Sequence, residues 1–337
     1  MRSTAAPTTP PAKEWAEKIR SGDIRTAARA CSLIENEDPQ ADSILAAIYP
    51  YTGRAMVVGV TGPPGAGKST LLSCLVEEAV GHSYKVGVIA VDPSSPISGG
   101  ALLADRLRID TSDRSQVYIR SLATRGSLGG LAAASFGILR VMEAMGKALI
   151  FVETVGAGQN EVAVSSLATT TVFVTVPNLG DDIQALKAGI LEVCDIFAVN
   201  KSDLGNAEVA VSQLRTVLTM REFQEAGSEP VLPNSSELSI SWRLPVMAVS
   251  AHQKKGVAQL FSAIMSHHQQ LAATRMLEQR RRRQVSAEIE LLLERKLSVE
   301  LKSLITEKVI DSLMSHEKSP HALAAQLVAR QVRRAKK

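Results

Sequence analysis

The chain has 337 residues, 45% of them hydrophobic, and its 38 Lys and Arg against 34 Asp and Glu leave a net charge of +4. That length buries a full core, as one large domain with helical additions or two smaller ones, and so mild a charge with only 4% aromatics excludes the basic, aromatic-interleaved face of a nucleic-acid binder. Cys31, Cys74 and Cys194 are widely spaced and odd in number, which excludes a disulfide framework or a zinc pair and fits a reducing cytoplasm, and no apolar run reaches the roughly 18 residues of a membrane span.

Residues 1–12 are rich in Pro, Thr and Ala and carry no apolar core of signal-peptide length. From Ala12 to Ile48 the apolar residues recur at helical spacing, which predicts two or three helices. The rhythm then changes. The short runs "MVVGV", "KVGVIAV", "QVYIRSL", "ALIFVE", "TTVFVTV", "DIFAVN" and "LPVMAVS" alternate with helical segments such as "STLLSCLVEEAVG" and "AAASFGILRVMEAMG". Near-continuous Val/Ile/Leu, without polar alternation, is the pattern of strands buried on both faces of a parallel sheet. The expected fold is therefore α/β, with a doubly wound, mostly parallel sheet and helical extensions at both ends. Its expected divisions are 1–52 (mobile segment and helices), 53–265 (the doubly wound α/β domain) and 266–337 (helical arm), and ligands are expected outside the carboxyl ends of the strands. Pro230, Pro233 and "NSSE" mark a surface connection. Beyond His267 the pattern is helical again; "RRRR" at Arg280 to Arg283 is expected to be a solvated helix face, and Ser319-Pro320 starts a last helix.

The stretch "TGPPGAGKST" follows the first strand run and holds G-x-x-x-x-G-K-[ST]. Glycines in such a loop let backbone N–H groups converge on phosphates, and the helix that begins at Lys68 adds its positive end. The expected nucleotide contacts are Gly62, Pro63, Pro64, Gly65, Ala66, Gly67, Lys68, Ser69 and Thr70. The Lys68 ammonium is expected between phosphates, and the Ser69 hydroxyl as a ligand for Mg²⁺. "IFVETVGAGQ" places Glu153 at a strand end with Gly156 three residues on, where P-loop proteins keep the acid of the metal site and the glycine that senses the γ-phosphate. "VDPSSPISGGALLADR" supplies Asp92 at another strand end and Asp105 beyond a Ser-, Gly- and Pro-rich loop. Both are metal-site candidates, against the plainer readings of a turn cap and an exposed helix-start acid.

Base identity is read from "FAVNKSD", in which Asn200, Lys201 and Asp203 form N-K-x-D after a strand. A carboxylate there accepts from guanine N1–H and the 2-amino group, and an unpaired acceptor rejects adenine. Ser250 and Ala251 in "VMAVSAHQKKG" stand where GTPases bring a backbone N–H near guanine O6. Ala157 follows Gly156, where Ras-type enzymes carry the water-orienting glutamine, so intrinsic GTP hydrolysis is expected to be slow and completed by a partner; Gln159 is a candidate substitute. His82, His252, His267 and His268 show no metal-ligand spacing and are expected at the surface, and Cys74 and Cys194 as buried small hydrophobes.

Taken in order, "GPPGAGKST", "VDPSSPISGGALLADR", "ATRGSLGGL", "VETVGAGQ", "GDDIQALKAGILEVCDIFAVNKSD" and "VSAHQKKG" resemble the MeaB/ArgK/MMAA family of P-loop GTPases, over roughly residues 20 to 290. The resemblance implies a chaperone of adenosylcobalamin-dependent acyl-CoA mutases that binds GTP and GDP with Mg²⁺, the adenosylcobalamin belonging to the partner. It implies catalytic and metal roles for Lys68, Ser69, Asp92, Asp105 and Glu153, and guanine reading by Asn200, Lys201 and Asp203. Asp182, Gln184 and Lys187 become a further switch segment that reports nucleotide state, where the residues alone also fit an ordinary helix start with acidic caps. The terminal helices resemble the family's homodimer arms. Two departures stand out: Ser127 where the family has His or Thr in "TRGxLGG", and Asn178 and Leu179 in "PNLGDD". A metallochaperone GTPase is the alternative, and it lacks the Cys/His cluster or His-rich tail that metal delivery needs. A kinase of a transport component is a third reading, against which N-K-x-D argues.

Overall fold

The computed structural model describes residues 11–92, 116–123, 128–154, 166–177, 194–226, 242–316 and 319–335. Each of the seven apolar runs forms a strand: β1 (Met56–Thr61), β2 (Val86–Asp92), β3 (Val117–Ala123), β4 (Leu149–Thr154), β5 (Thr170–Thr175), β6 (Ile196–Val199) and β7 (Val246–Ala248). They make one sheet in the order β3-β2-β4-β1-β5-β6-β7, and every pairing is parallel. Parallel strands must be joined by crossovers that lie on the faces, so both faces are covered. Helices α4 (Lys68–Gly81) and α7 (Val257–Ala273) share a core with Val58, Val60, Val172 and Val174, while α6 (Ala207–Ala226) covers Phe173, Phe197 and Val199 on the opposite face.

Three helices precede the sheet: α1 (Ala12–Arg20), α2 (Ile24–Glu35) and α3 (Pro39–Ile48). Asp23 and Asp38 cap α2 and α3 by accepting backbone N–H groups of their first turns. This helical layer packs on α5 (Leu128–Ala144), where a Cβ on Gly137 would stand 2.8 Å from Ile34. Arg120 of β3 donates to Glu35 at 2.6 Å, which ties the layer to the sheet edge.

The chain divides into two compact units, Met1–Val285 and Ser286–Lys337. The first holds the sheet. The second comprises the rest of α8 (Met276–Ser303), with α9 (Glu307–Met314) and α10 (Pro320–Ala335). Along α8 the side chains Ile289, Leu293, Leu297 and Leu301 recur every four residues and are exposed. No helix among the described residues is long and apolar enough to cross a membrane.

Candidate functional site

Because every strand runs the same way, their carboxyl ends converge on one edge, and the motif residues follow those ends. The loop after β1 carries Gly62 to Gly67 into α4. Gly62 adopts φ +139°, and a Cβ there would lie 2.0 Å from the Val174 carbonyl oxygen, so the loop closes over β5 only with glycine. Gly67 at φ +84° faces the Asn200 amide nitrogen, 2.5 Å from where a Cβ would stand. It precedes α4 without a side-chain cap, in contrast with the aspartates of α2 and α3. The N–H groups of that first helical turn are thus available to an anion. Lys68 is buried, and its ammonium donates to the carbonyls of Gly62 at 2.8 Å and Pro63 at 3.0 Å, which draws it back over the loop. Pro64, Gly65 and Ala66 form the turn before it, and Thr70 lies in the first turn of α4.

Glu153, 2% exposed at the end of β4, accepts from the Ser69 hydroxyl at 2.6 Å. A hydroxyl and a carboxylate side by side at the mouth of a phosphate loop are the hard oxygen donors that suit Mg²⁺. Asp92 ends β2, in register with Ala123, and so belongs to the same edge of the sheet. Thr61 and Thr154, at the ends of β1 and β4, pair their buried hydroxyls at 3.3 Å.

The base-reading elements follow β6 and β7. Asn200 is buried and works as a strut. Its amide donates to the Ala66 carbonyl at 2.8 Å, and its oxygen accepts the Ala251 N–H at 3.0 Å. Ser250 and Ala251 stand where a backbone N–H is expected near guanine O6, and of the two the Ala251 N–H is the one that Asn200 holds. Lys201 takes a left-handed φ of +58°, which turns the chain so that Asp203 stands exposed beside Ser250. The Ser250 hydroxyl donates to Asp203 at 2.5 Å, and that bond, with a backbone N–H, holds the Asp203 carboxyl below its ordinary pKa and so ionised as an acceptor. Two contacts that no motif announced hold this loop: Cys74 to the Ala251 carbonyl at 3.3 Å, and Lys254 to Glu77 at 2.5 Å.

Asp105, Gly156, Ala157, Gln159, Ser127, Asn178, Leu179, Asp182, Gln184 and Lys187 lie outside the described residues, as does the 228–237 connection. Among the described residues no group of three His, Cys, Asp or Glu side chains is arranged to hold a metal ion. All three cysteines are buried. His82 and His252 are exposed as expected, but His267 is not: it is 1% exposed, bonded to the Thr170 hydroxyl at 3.0 Å and packed at a tilt against the Trp242 ring. Arg280 likewise departs from the solvated face expected of the "RRRR" run, because its guanidinium grips both Asp195 oxygens at 2.8 Å and the Thr169 carbonyl at 2.7 Å.

A glycine-rich loop leading into an uncapped helix, an acid beside its serine and an N-K-x-D strut after β6 define a P-loop GTPase. The chain matches the family described as "Methylmalonyl Co-A mutase-associated GTPase MeaB" over residues 27–306, and it belongs to that family. A putative GTPase of Pyrococcus abyssi is 40% identical over 326 residues, covering 95% of this chain and 96% of that protein. GTPase ArgK of Escherichia coli is 34% identical, covering 80% of each, and the mouse "Methylmalonic aciduria type A homolog, mitochondrial" is 34% identical, covering 67% of this chain and 52% of that protein. A crystal structure titled LAO/AO transport system kinase superposes with a TM-score of 0.68 at 26% identity, covering 97% of this chain and 99% of that one.

Proposed function

We propose that this GTPase is a chaperone that gates cofactor loading into, and protects or reactivates, an adenosylcobalamin-dependent acyl-CoA mutase. The match to the mutase-associated family over residues 27–306 carries the reading. The site supports its chemistry. Lys68 and the α4 N-terminus would take the phosphates, and Asp203 the guanine edge. Ser69 and Glu153, with Asp92 and Asp105, would hold Mg²⁺, which would supply positive charge to offset that of the phosphates. The Gly156 N–H would sense the γ-phosphate. Asp182, Gln184 and Lys187 would report nucleotide state to the mutase, working cytoplasmically. The exposed Ile289, Leu293, Leu297 and Leu301 would serve homodimer contact.

A timer of this kind acts through differential affinity for two partner states, so slow hydrolysis is part of its design. The test is GTP turnover with Mg²⁺, alone and with an adenosylcobalamin-dependent acyl-CoA mutase from the same cell, ATP being the control. Slow GTP hydrolysis that the mutase accelerates, with ATP inert, is the expected result. Turnover unchanged by every such mutase would overturn the client and turn attention to metal delivery.

A further inference from the structure

The guanine-recognition loop is held at its centre by one residue. Ala251 has its N–H bonded to Asn200 and its carbonyl bonded to the thiol of Cys74, at 3.0 and 3.3 Å. Its neighbour Ser250 forms a bridge with Lys255 that closes the turn, and the same serine's hydroxyl orients Asp203. Fixing Ala251 therefore fixes the acceptor that reads the base. Asn200 ties this point to the phosphate loop through the Ala66 carbonyl. Cys74 ties it independently to α4, the helix that starts at the phosphate-binding Lys68.

Six residues separate Lys68 from Cys74, about 9 Å along a helix, and three more reach Glu77, whose carboxylate meets Lys254 on the far side of the loop. A single rigid element thus spans from the phosphates to the base. We infer that Cys74 is a positioning residue for guanine selection: α4 sets the distance between phosphate loop and base loop, and the thiol, assisted by the Glu77–Lys254 pair, holds Ala251 at that distance. Burial pushes the Cys74 thiol up from its ordinary pKa, which keeps it as an S–H donor to the Ala251 carbonyl, alongside the Lys254 N–H that the same carbonyl accepts at 3.4 Å within the turn. Valine at position 74 comes near the same volume but removes the bond from that carbonyl to α4, leaving it only the Lys254 N–H of its own turn.

This inference rests on the GTPase reading and is tested on the full chain by equilibrium binding of GTP and of inosine triphosphate, which lacks the 2-amino group that Asp203 reads. Cys74→Val and Cys74→Ala are expected to weaken GTP binding about three- to tenfold, the effect of one hydrogen bond, and to lower the GTP-to-ITP preference. Cys74→Ser, which keeps a donor, should stay closer to the parent in both. Glu77→Gln, on the exposed side, is expected to lower the preference about twofold. A mere packing role would weaken GTP and ITP alike and leave their ratio unmoved. An unchanged ratio in Cys74→Val, or in Glu77→Gln together with Cys74→Ala if the valine form does not fold, overturns the inference. Failure of the parent protein to bind GTP would overturn the guanine reading instead.

Discussion

The two edges of the sheet use charge for opposite ends. At the carboxyl edge, Lys68 donates to the Gly62 and Pro63 carbonyls, and Glu153 and Asp203 accept from the Ser69 and Ser250 hydroxyls, bonds that phosphate, metal or base can displace. At the amino edge, charges meet charges. Glu143 pairs with Arg140 at 3.0 Å and accepts the Ala55 N–H before β1, while Asp195 pairs with Arg280 and accepts the Thr171 N–H of β5. A charge matched by its opposite in low dielectric cannot be given up to a ligand without heavy cost, whereas one held by neutral dipoles can. The first edge is built for exchange, the second for permanence.

The contrast breaks most sharply at Lys68. Lys68→Ala removes an ammonium that would make charge-assisted bonds to phosphate, so GTP affinity should fall by about 100-fold or more, measured by calorimetric titration, with the melting temperature near that of the parent. Preserved affinity would mean that the phosphates lie elsewhere. The reverse is expected of Arg280→Ala. It strands the buried Asp195 carboxylate, should cost about 3 kcal/mol in urea unfolding, and should leave GTP affinity within about twofold. A large loss of GTP binding in that variant would couple the edges and end the distinction.

His267 sharpens the amino edge by pH. Desolvation lowers its pKa from 6.5 to about 4, Asp195 acting against that and Arg280 and His268 with it. Below pH 6.5 the unfolded chain binds a proton that the folded chain refuses, so stability is present above that pH and is lost as the pH falls toward 4. The loss amounts to on the order of 3 kcal/mol across that window. His267→Gln should flatten this acid limb of the urea midpoint, and a parent midpoint that does not move between pH 6.5 and 4 would contradict the burial.

The difference between the edges also governs what the sequence discloses. The seven strand runs are legible because strands buried on both faces are apolar throughout, and the phosphate loop because its glycines and lysine are adjacent in the chain. The strand order was not, since crossovers between β2, β4 and β1 leave no local mark. Nor were His267 and Arg280, whose partners Thr170 and Asp195 lie 97 and 85 residues away. A histidine among polar neighbours and an arginine in a basic run look solvated until tertiary packing brings a carboxylate to them. Cys74 belongs with these: its local signal is that of any core residue on a helix, and its partner is 177 residues on.

The basic run itself offers the smallest and most discriminating effect. Arg282 stands two residues beyond Arg280 on the same helix, yet its guanidinium reaches only Glu278, one turn back, with both side chains mostly exposed. Such an i,i+4 pair is screened by water and salt, so Arg282→Ala should change stability by less than about 0.5 kcal/mol. The urea midpoints of the two alanine variants, taken side by side, separate burial from composition. If both fall equally, the Arg280–Asp195 grip contributes nothing beyond a surface charge; if they fall in the expected ratio of several to one, the identity of the residue matters less than the carboxylate buried beside it.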